Sequence, residues 1–437
     1  MPSMMRTFMS HPTLSADWSG DYEEKSAEWF ELFLDLIVVA AFSNTATKLQ
    51  HDLSLPGVLY FLLLTGLYTM CWTLYANFHA RFNEKSLLHY AYLYVFLVGL
   101  GGMVLAGDAG HTFTIGLVLV HIAQVLMYST VHSLLPRVRA TTVVDILFNL
   151  FAIAVLLLSL VLPASWTLPA YVLVYVVESI GRYVAAILGW FMPPSHMRVP
   201  MNIDHFNERV GCLVMVALGE AVVSAIINFD KPELLTTRFF VMMQLALLVI
   251  FAMAMYYFAI KPPRDFHALR RSAVAGITFT WLHFLLYPTL LAIGVGLKFI
   301  TAAVLADTPL RSIHVWLLFG SIALALVVML GIRLTHYGGR QPSPTDPVPV
   351  KRIKNAWWLL VGVSPLVSLL CAALLVAFSG DDATDPLHAL TFAALFNVFW
   401  VLVESAMMNK LVELGYGGLG AEDGEAKALL DTTSTKQ

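Results

Sequence analysis

Long apolar runs separated by short polar stretches dominate the chain. Crossing a bilayer takes about 20 mostly apolar residues. On that measure the pattern predicts twelve transmembrane helices, over 29–47, 56–77, 87–107, 113–133, 142–162, 168–191, 209–229, 237–260, 272–304, 312–335, 354–378 and 386–409. The ninth run is too long for one straight span. Pro288 and the Gly294/Gly296 pair are places where it would kink, so it reads either as one tilted helix or as a helix plus a re-entrant piece. The fold class that follows is all-α, a polytopic membrane helix bundle of about twelve transmembrane helices. No stretch is suited to a soluble domain. Residues 1–25 read as a disordered cytoplasmic tail and 26–410 as the transmembrane domain. Within that domain, 336–353 reads as a proline-rich cytoplasmic linker, and 411–437 as a flexible cytoplasmic tail.

Charge adds orientation. Of 26 Lys and Arg residues, 20 fall on the side of this arrangement that holds both termini. Four fall on the other side (Lys48, Lys231, Arg238 and Arg311), and Arg182 and Lys298 lie within spans. Cytoplasmic loops collect Lys and Arg, so both termini are expected in the cytoplasm. A wrong span count would scramble this alternation, so the asymmetry supports the segmentation too. Composition agrees with a membrane protein: 58% hydrophobic, 13% charged and a mean hydropathy of +0.74. The net charge of −3 comes with no basic stripe, which argues against a nucleic-acid partner. Cys71, Cys212 and Cys371 all lie within spans, and neither a disulfide framework nor a zinc spacing is visible. The N-terminal segment has no apolar core of a signal peptide, and no lipidation box is present, so anchoring is expected from the spans themselves.

Against this greasy background the buried charges are the lead. An ionised group at mid-bilayer costs roughly 2.5–3.5 kcal/mol on insertion scales, so it must be paired, hydrated or protonated. Glu28, Glu31 and Asp35 share one face of the first span. Acids in a first helical turn also complement the helix dipole and cap free N–H groups, which is the plain reading of Glu28 and Glu31 in a helix that Ser26 would begin. Asp35 lies about 9 Å beyond Trp29 and needs a partner inside the bundle. Glu220 lies about 16 Å beyond Arg209, near mid-bilayer, in a span approached by a polar segment that Asp204 would cap. Gly219 beside it would admit a neighbouring backbone. Glu178 and Arg182 stand at i, i+4 and either neutralise each other or supply Arg182 to Asp35 or Glu220. The last arrangement would give one buried network with a residual proton to place. Asp145 and Glu404 lie nearer helix ends. His89, His121, His283, His314 and His388 lie within or beside spans, and a lone histidine there usually just bonds a neighbour. His205 and Glu208, at i, i+3, would need a third ligand to hold a metal. Trp72 and Tyr75 read first as an interfacial belt.

Three segments resemble one family. ELFLDLIVVAAF (31–42) is similar to the opening signature of bacterial low temperature requirement A (LtrA) proteins. HFNERVGCLVMVALGEAVV (205–223) and WTLYANFHARFNEK (72–85) resemble two further family segments, and the three occur in the family's order. The resemblance points to Glu31, Asp35, Asn77, Glu208, Arg209, Gly219 and Glu220. The chain departs from the family pattern at Val210, where the family often has His, and at Asn83-Glu84-Lys85, where an acidic pair is usual. The family name records a growth phenotype in the cold and identifies no substrate.

The reading is therefore a multi-pass protein of the plasma or cytoplasmic membrane, with the lipid bilayer as partner. Its expected work is to carry a small solute or ion coupled to protons. Asp35 and Glu220 are the expected proton or cation sites, Glu31 lies beside Asp35, and Glu178 with Arg182 supplies the counter-charge. The alternative is a membrane-organising, lipid-interacting or sensor protein whose polar network only holds helices together. An enzyme is not expected: no zinc motif, no Gly-x-Ser-x-Gly elbow, no nucleotide loop and no cofactor signature is present.

Overall fold

The structure, a computed structural model, describes residues 8–16, 26–181, 183–184, 199–226, 236–259, 267–336, 342–380 and 382–414. Among them, eleven helices are long and apolar enough to cross a membrane. The chain divides into two compact units, Met1–Ala217 and Leu218–Gln437.

The first unit holds α1 (Trp29–His51), α2 (Leu55–Arg81), α3 (Leu87–Ala106), α4 (His111–Leu134), α5 (Arg139–Val161) and α6 (Thr167–Val176). It also holds the first part of α7 (Ile203–Ile226). Ser54 and Ser86 cap α2 and α3 by accepting the Gly57 and His89 N–H groups. The sixth expected span is described as α6 followed by a π-helical turn, Val177–Gly181, and its remainder lies largely outside the described residues. Helices α3 and α4 meet backbone to backbone. A Cβ on Gly99 would stand 2.6 Å from the Gly116 carbonyl oxygen, and one on Gly116 would stand 2.5 Å from that of Gly99. Of the tail expected to be disordered, residues 8–16 are described, and they are tied down. Thr13–Leu14 (β1) pairs antiparallel with Phe82–Asn83 (β2), and Ser10 donates to Glu84 at 3.1 Å.

The second unit holds the remainder of α7, α8 (Thr237–Phe258), a single turn at Ala268–Arg271, α9 (Ala273–Ala306), α10 (Ser312–Thr335), α11 (Val348–Ser379) and α12 (Pro386–Glu413). The ninth span is one continuous helix of 34 residues with Pro288 inside it. At 1.5 Å per residue it is about 51 Å long, well beyond the hydrocarbon thickness. Its glycines serve close packing: a Cβ on Gly294 would lie 2.9 Å from Ala221 Cα, and one on Gly296 3.1 Å from Leu318 Cα. Helix α11 begins inside the segment expected to be a linker, at Val348, because Pro347 and Pro349 suit the cap and first turn of a helix.

Two histidines outside the spans hold this unit's α8–α9 connection. His267 Nδ1 accepts the Leu269 N–H and His336 Nδ1 accepts the Ala268 N–H, so both rings must stay neutral to serve. Burial pushes His267 down to about 3 and His336 down to about 4, with neighbouring positive charge adding to the effect. The unfolded chain takes up these protons near pH 6.5 and the folded chain does not, so stability is lost as pH falls from 6.5 towards 4. The expected slope is about 1.4 kcal/mol per pH unit for each histidine. Thermal unfolding in detergent between pH 7 and 4.5 checks it. His336→Asn, which keeps an acceptor and cannot titrate, should flatten the slope.

Candidate functional site

The start of α1 sets the site. Glu28 is the N-cap, and its N–H donates to Glu31 Oε2 at 2.8 Å in a reciprocal capping box. The cap is only half of what Glu31 does. Fully buried, it turns Oε1 towards His205 Nε2 at 3.1 Å, Arg209 Nε at 3.8 Å and His79 Nδ1 at 3.9 Å. One turn deeper, Asp35 receives a two-pronged guanidinium: Arg209 Nη1 donates to Oδ2 and Nη2 to Oδ1, each at 2.7 Å. Trp72 Nε1 donates to Oδ1 at 2.8 Å, and the guanidinium lies 5.4 Å from the Trp72 ring centroid. Arg209 also donates to the Glu31 carbonyl at 3.1 Å.

Local sequence explains how α7 delivers its side chains. Asn202 Oδ1 accepts the His205 N–H at 3.0 Å, and the Asn202 N–H donates to the Ala80 carbonyl at 2.7 Å. Asn202, not Asp204, makes this N-terminal cap. It anchors α7 to the end of α2, so His205 and Arg209, one turn apart, share the face towards α1. From α2 and α3, His79 Nε2 meets His89 Nε2 at 3.2 Å, both rings buried, so one ring donates and the other accepts. The cluster is thus built from the start of α1, the end of α2, the start of α3 and the start of α7, all within the first unit.

The other expected residues fall elsewhere. Glu178 is buried in the π turn, within electrostatic range of Cys71 on α2. Arg182 lies outside the described residues, and the counter-charge to Asp35 is Arg209. Glu220, in the second unit, is buried and accepts from Ser224 Oγ at 3.3 Å. Gly219 is exposed, with no atom within 4 Å of where a Cβ would stand, and the close backbone approach occurs at Ala221 instead. Asn77 and Glu208 are half-buried. His205, read as half of a metal pair with Glu208, bonds Glu31, and no metal-holding group of three occurs among the described residues. Sequence reasoning missed His79 and assigned Trp72 to an interfacial belt, yet Trp72 is 1% exposed. The available signal was spacing: Trp72 and His79 are seven residues apart, on one helical face.

Residues from all three motif segments thus meet in the cluster, Glu31 and Asp35 with Trp72 and His79 and with His205 and Arg209. The description of the bacterial low temperature requirement A protein matches residues 26–403. The chain belongs to that family. No curated protein matches it. The match runs beyond the three motif segments into α12, so it takes in most of the second half of the chain as well. The family and the eleven described apolar helices make this LtrA protein a multi-pass integral membrane protein.

Chemically, the cluster is unbalanced. Glu31 and Asp35 bring two negative charges, and Arg209 brings one positive charge. His205 and His79 lie beside Glu31, and His89 lies beside His79.

Proposed function

We propose that the protein transports a small solute or ion coupled to protons, and that the residual proton of the Glu31 cluster is the coupling proton. The observation that carries this reading is the series from Glu31 to His79 to His89: Glu31 Oε1 stands 3.9 Å from His79 Nδ1, beyond hydrogen-bond reach, and His79 and His89 share a hydrogen bond at 3.2 Å. A proton on either histidine can pass to the other along their shared hydrogen bond, and Glu31 lies at the end of the chain. Asp35 is reassigned: clamped by Arg209 and Trp72, it is the fixed counter-charge of the cluster. Glu178 in the first unit and Glu220 in the second are each proposed as a further functional acid. The screen that tests the reading uses proteoliposomes loaded with a pH dye, challenged with small solutes and ions across a pH gradient. Solute-dependent proton movement supports coupling, and its absence across the screen with folded protein removes it.

A second reading is favoured by one observation. In the Asp35–Arg209–Trp72 clamp both carboxylate oxygens of Asp35 and both terminal nitrogens of Arg209 are bonded, as in a structural helix lock. Under that reading the protein organises the membrane or senses its state, and no flux is seen.

The orientation proposed is cytoplasmic for both termini, in the plasma or cytoplasmic membrane, which puts the ends of α1, α2, α3 and α7 that build the cluster at the cytoplasmic face. The 20-to-4 division of basic residues supports it. Tags at either terminus should resist labelling from outside intact cells, and a tag labelled from outside would reverse the assignment.

A further inference from the structure

The segment before α1 is fastened to the same helix ends that carry the cluster. The Phe8 carbonyl accepts the Leu88 N–H at 3.2 Å, one of the first-turn donors of α3 that have no partner within the helix. Ser10 Oγ donates to Glu84 Oε1 at 3.1 Å, and Asn83 Nδ2 donates to the Leu14 carbonyl at 3.4 Å. The Ser15 N–H donates to the Arg81 carbonyl at 2.8 Å, and Asn202 Nδ2 donates to the Ser15 carbonyl at 3.5 Å. This strap therefore joins the end of α2, the start of α3 and the start of α7. Those ends carry His79, His89, and His205 with Arg209. The bonded positions stand close to the cluster along each element. Arg81 follows His79 by two residues, Leu88 precedes His89, and Asn202 caps the turn that holds His205. Asn83 and Glu84, on which the strap docks, lie in the stretch that departs from the family pattern, and the cluster itself does not use them.

The fastening is shallow. Phe8 and Met9 are 66% and 53% exposed, Leu14 is half-buried, and the buried apolar side chains of the strap are the small ones, Pro12 and Ala16. Strand β1 is two residues long. Each hydrogen bond adds little net stability, and ordering the segment costs conformational entropy. The Ser15 hydroxyl is buried without a hydrogen-bond partner, a further cost of the docked state. The cluster is the opposite: His79, His89 and His205 are 4%, 1% and 0% exposed, although all three stand at helix ends, where water should be near. A proton reaches or leaves these rings only when the ends part. We infer that Phe8–Ala16 is a releasable clasp. Docked, it holds the ends of α2, α3 and α7 together and shuts water out of the Glu31 cluster. Undocked, it lets the ends part and admits water to His79 and His89, from the cytoplasm in the orientation proposed above. This gate deepens the proton-coupled reading and rests on it for its purpose, though not for its existence.

A reversible lock tests the clasp. Thr13 and Asn83 stand directly opposite in the β1–β2 pair, where Cα atoms are about 4.5–5.5 Å apart, within reach of a disulfide. Thr13→Cys combined with Asn83→Cys, oxidised in the full-length protein, fixes the clasp shut, and reductant frees it. Wild-type protein, in which Cys71, Cys212 and Cys371 are free, is the reductant control. Diethylpyrocarbonate modifies histidines that water can reach, and mass spectrometry reads each site. His79 and His89 should react at least about fivefold faster in the reduced than in the oxidised protein, as expected for a local opening. His283, buried in the second unit, should react alike in both. Equal rates at His79 and His89 overturn the clasp. Ser10→Ala combined with Ser15→Pro removes the strap's bonds to Glu84 and Arg81, and His79 and His89 should then react severalfold faster than in wild type. Rates no higher than wild type would also overturn it. Coupled flux in proteoliposomes should fall about tenfold on oxidation of the cysteine pair and return on reduction. Slowed labelling with flux intact ends the gating role. The two readings fail separately. If locking slows labelling but no solute drives proton movement, the clasp stands and the transport reading falls. If Glu31→Gln abolishes coupled flux while locking changes neither labelling nor flux, the proton site stands without the clasp.

Discussion

Arg209→Met is expected to destabilise the first unit by about 3–5 kcal/mol, the typical effect of removing one partner from a buried ion pair. Arg209 is 0% exposed and Asp35 5%, so the orphaned carboxylate has no water to turn to. The loss goes beyond Asp35. Arg209 also bonds the Glu31 carbonyl and approaches the Glu31 carboxylate, so its removal leaves two carboxylates in one pocket with only histidine protons to offset them. Arg209→Lys keeps the charge and loses the fork that reaches both Asp35 oxygens, so it should recover only part of the stability. The decisive variant is the double change Asp35→Asn with Arg209→Met, which removes both charges. If the pair acts as a charge pair, this protein melts well above the Arg209→Met single variant. If the two defects simply add, Arg209 supports the fold by packing over Trp72 and not through charge. Thermal unfolding in detergent, followed by tryptophan fluorescence and by circular dichroism, supplies the numbers.

How much of this could be read from the sequence differs residue by residue. The helices were legible because a bilayer demands long apolar runs, and their order follows from hydropathy alone, with eleven of the twelve expected spans found as long apolar helices among the described residues. Asp35 stood out for the same reason: a short acid two turns inside an apolar helix has no route to water. Its partner was not legible. Arg209 begins a span, where arginine ordinarily meets the headgroups, and hydropathy does not report that α7 starts sealed beneath the end of α2. That depends on the Asn202–Ala80 hydrogen bond between segments over a hundred residues apart. Arg182, deeper in an apolar run, was the better guess on hydropathy and lies outside the described residues. Gly219 illustrates a related limit. A glycine in a membrane helix marks a close approach only if it faces a neighbour, and the angle between Gly219 and Ala221 decides which of them does. His79 escaped notice because a histidine near a helix end is unremarkable until His89, on the next helix, is seen 3.2 Å away. The family motifs compensated in part, since Glu31, Asp35 and Arg209 were among the seven positions they pointed to, without being joined to one another.

Glu31→Gln should abolish proton-coupled flux while leaving a protein that folds and reaches the membrane. The amide can still accept the Glu28 N–H, so the capping box at the start of α1 survives in large part. What disappears is the uncompensated charge. With Asp35 already matched by Arg209, a neutral residue 31 leaves the cluster balanced without any histidine proton, and His79 and His89 lose their reason to hold one. Flux should fall by about a hundredfold or more, and its residual pH dependence should flatten, as expected when an essential proton carrier is removed. Glu220→Gln is the informative companion. Its carboxylate bonds Ser224 on its own helix, a role an amide oxygen can fill, so stability should change little. If the coupling proton resides at Glu31, the Glu220 variant keeps the wild-type pH profile even where its rate falls. The opposite result, a normal profile for Glu31→Gln and a flat one for Glu220→Gln, would move the coupling proton to the second unit and leave the histidine cluster as a helix lock.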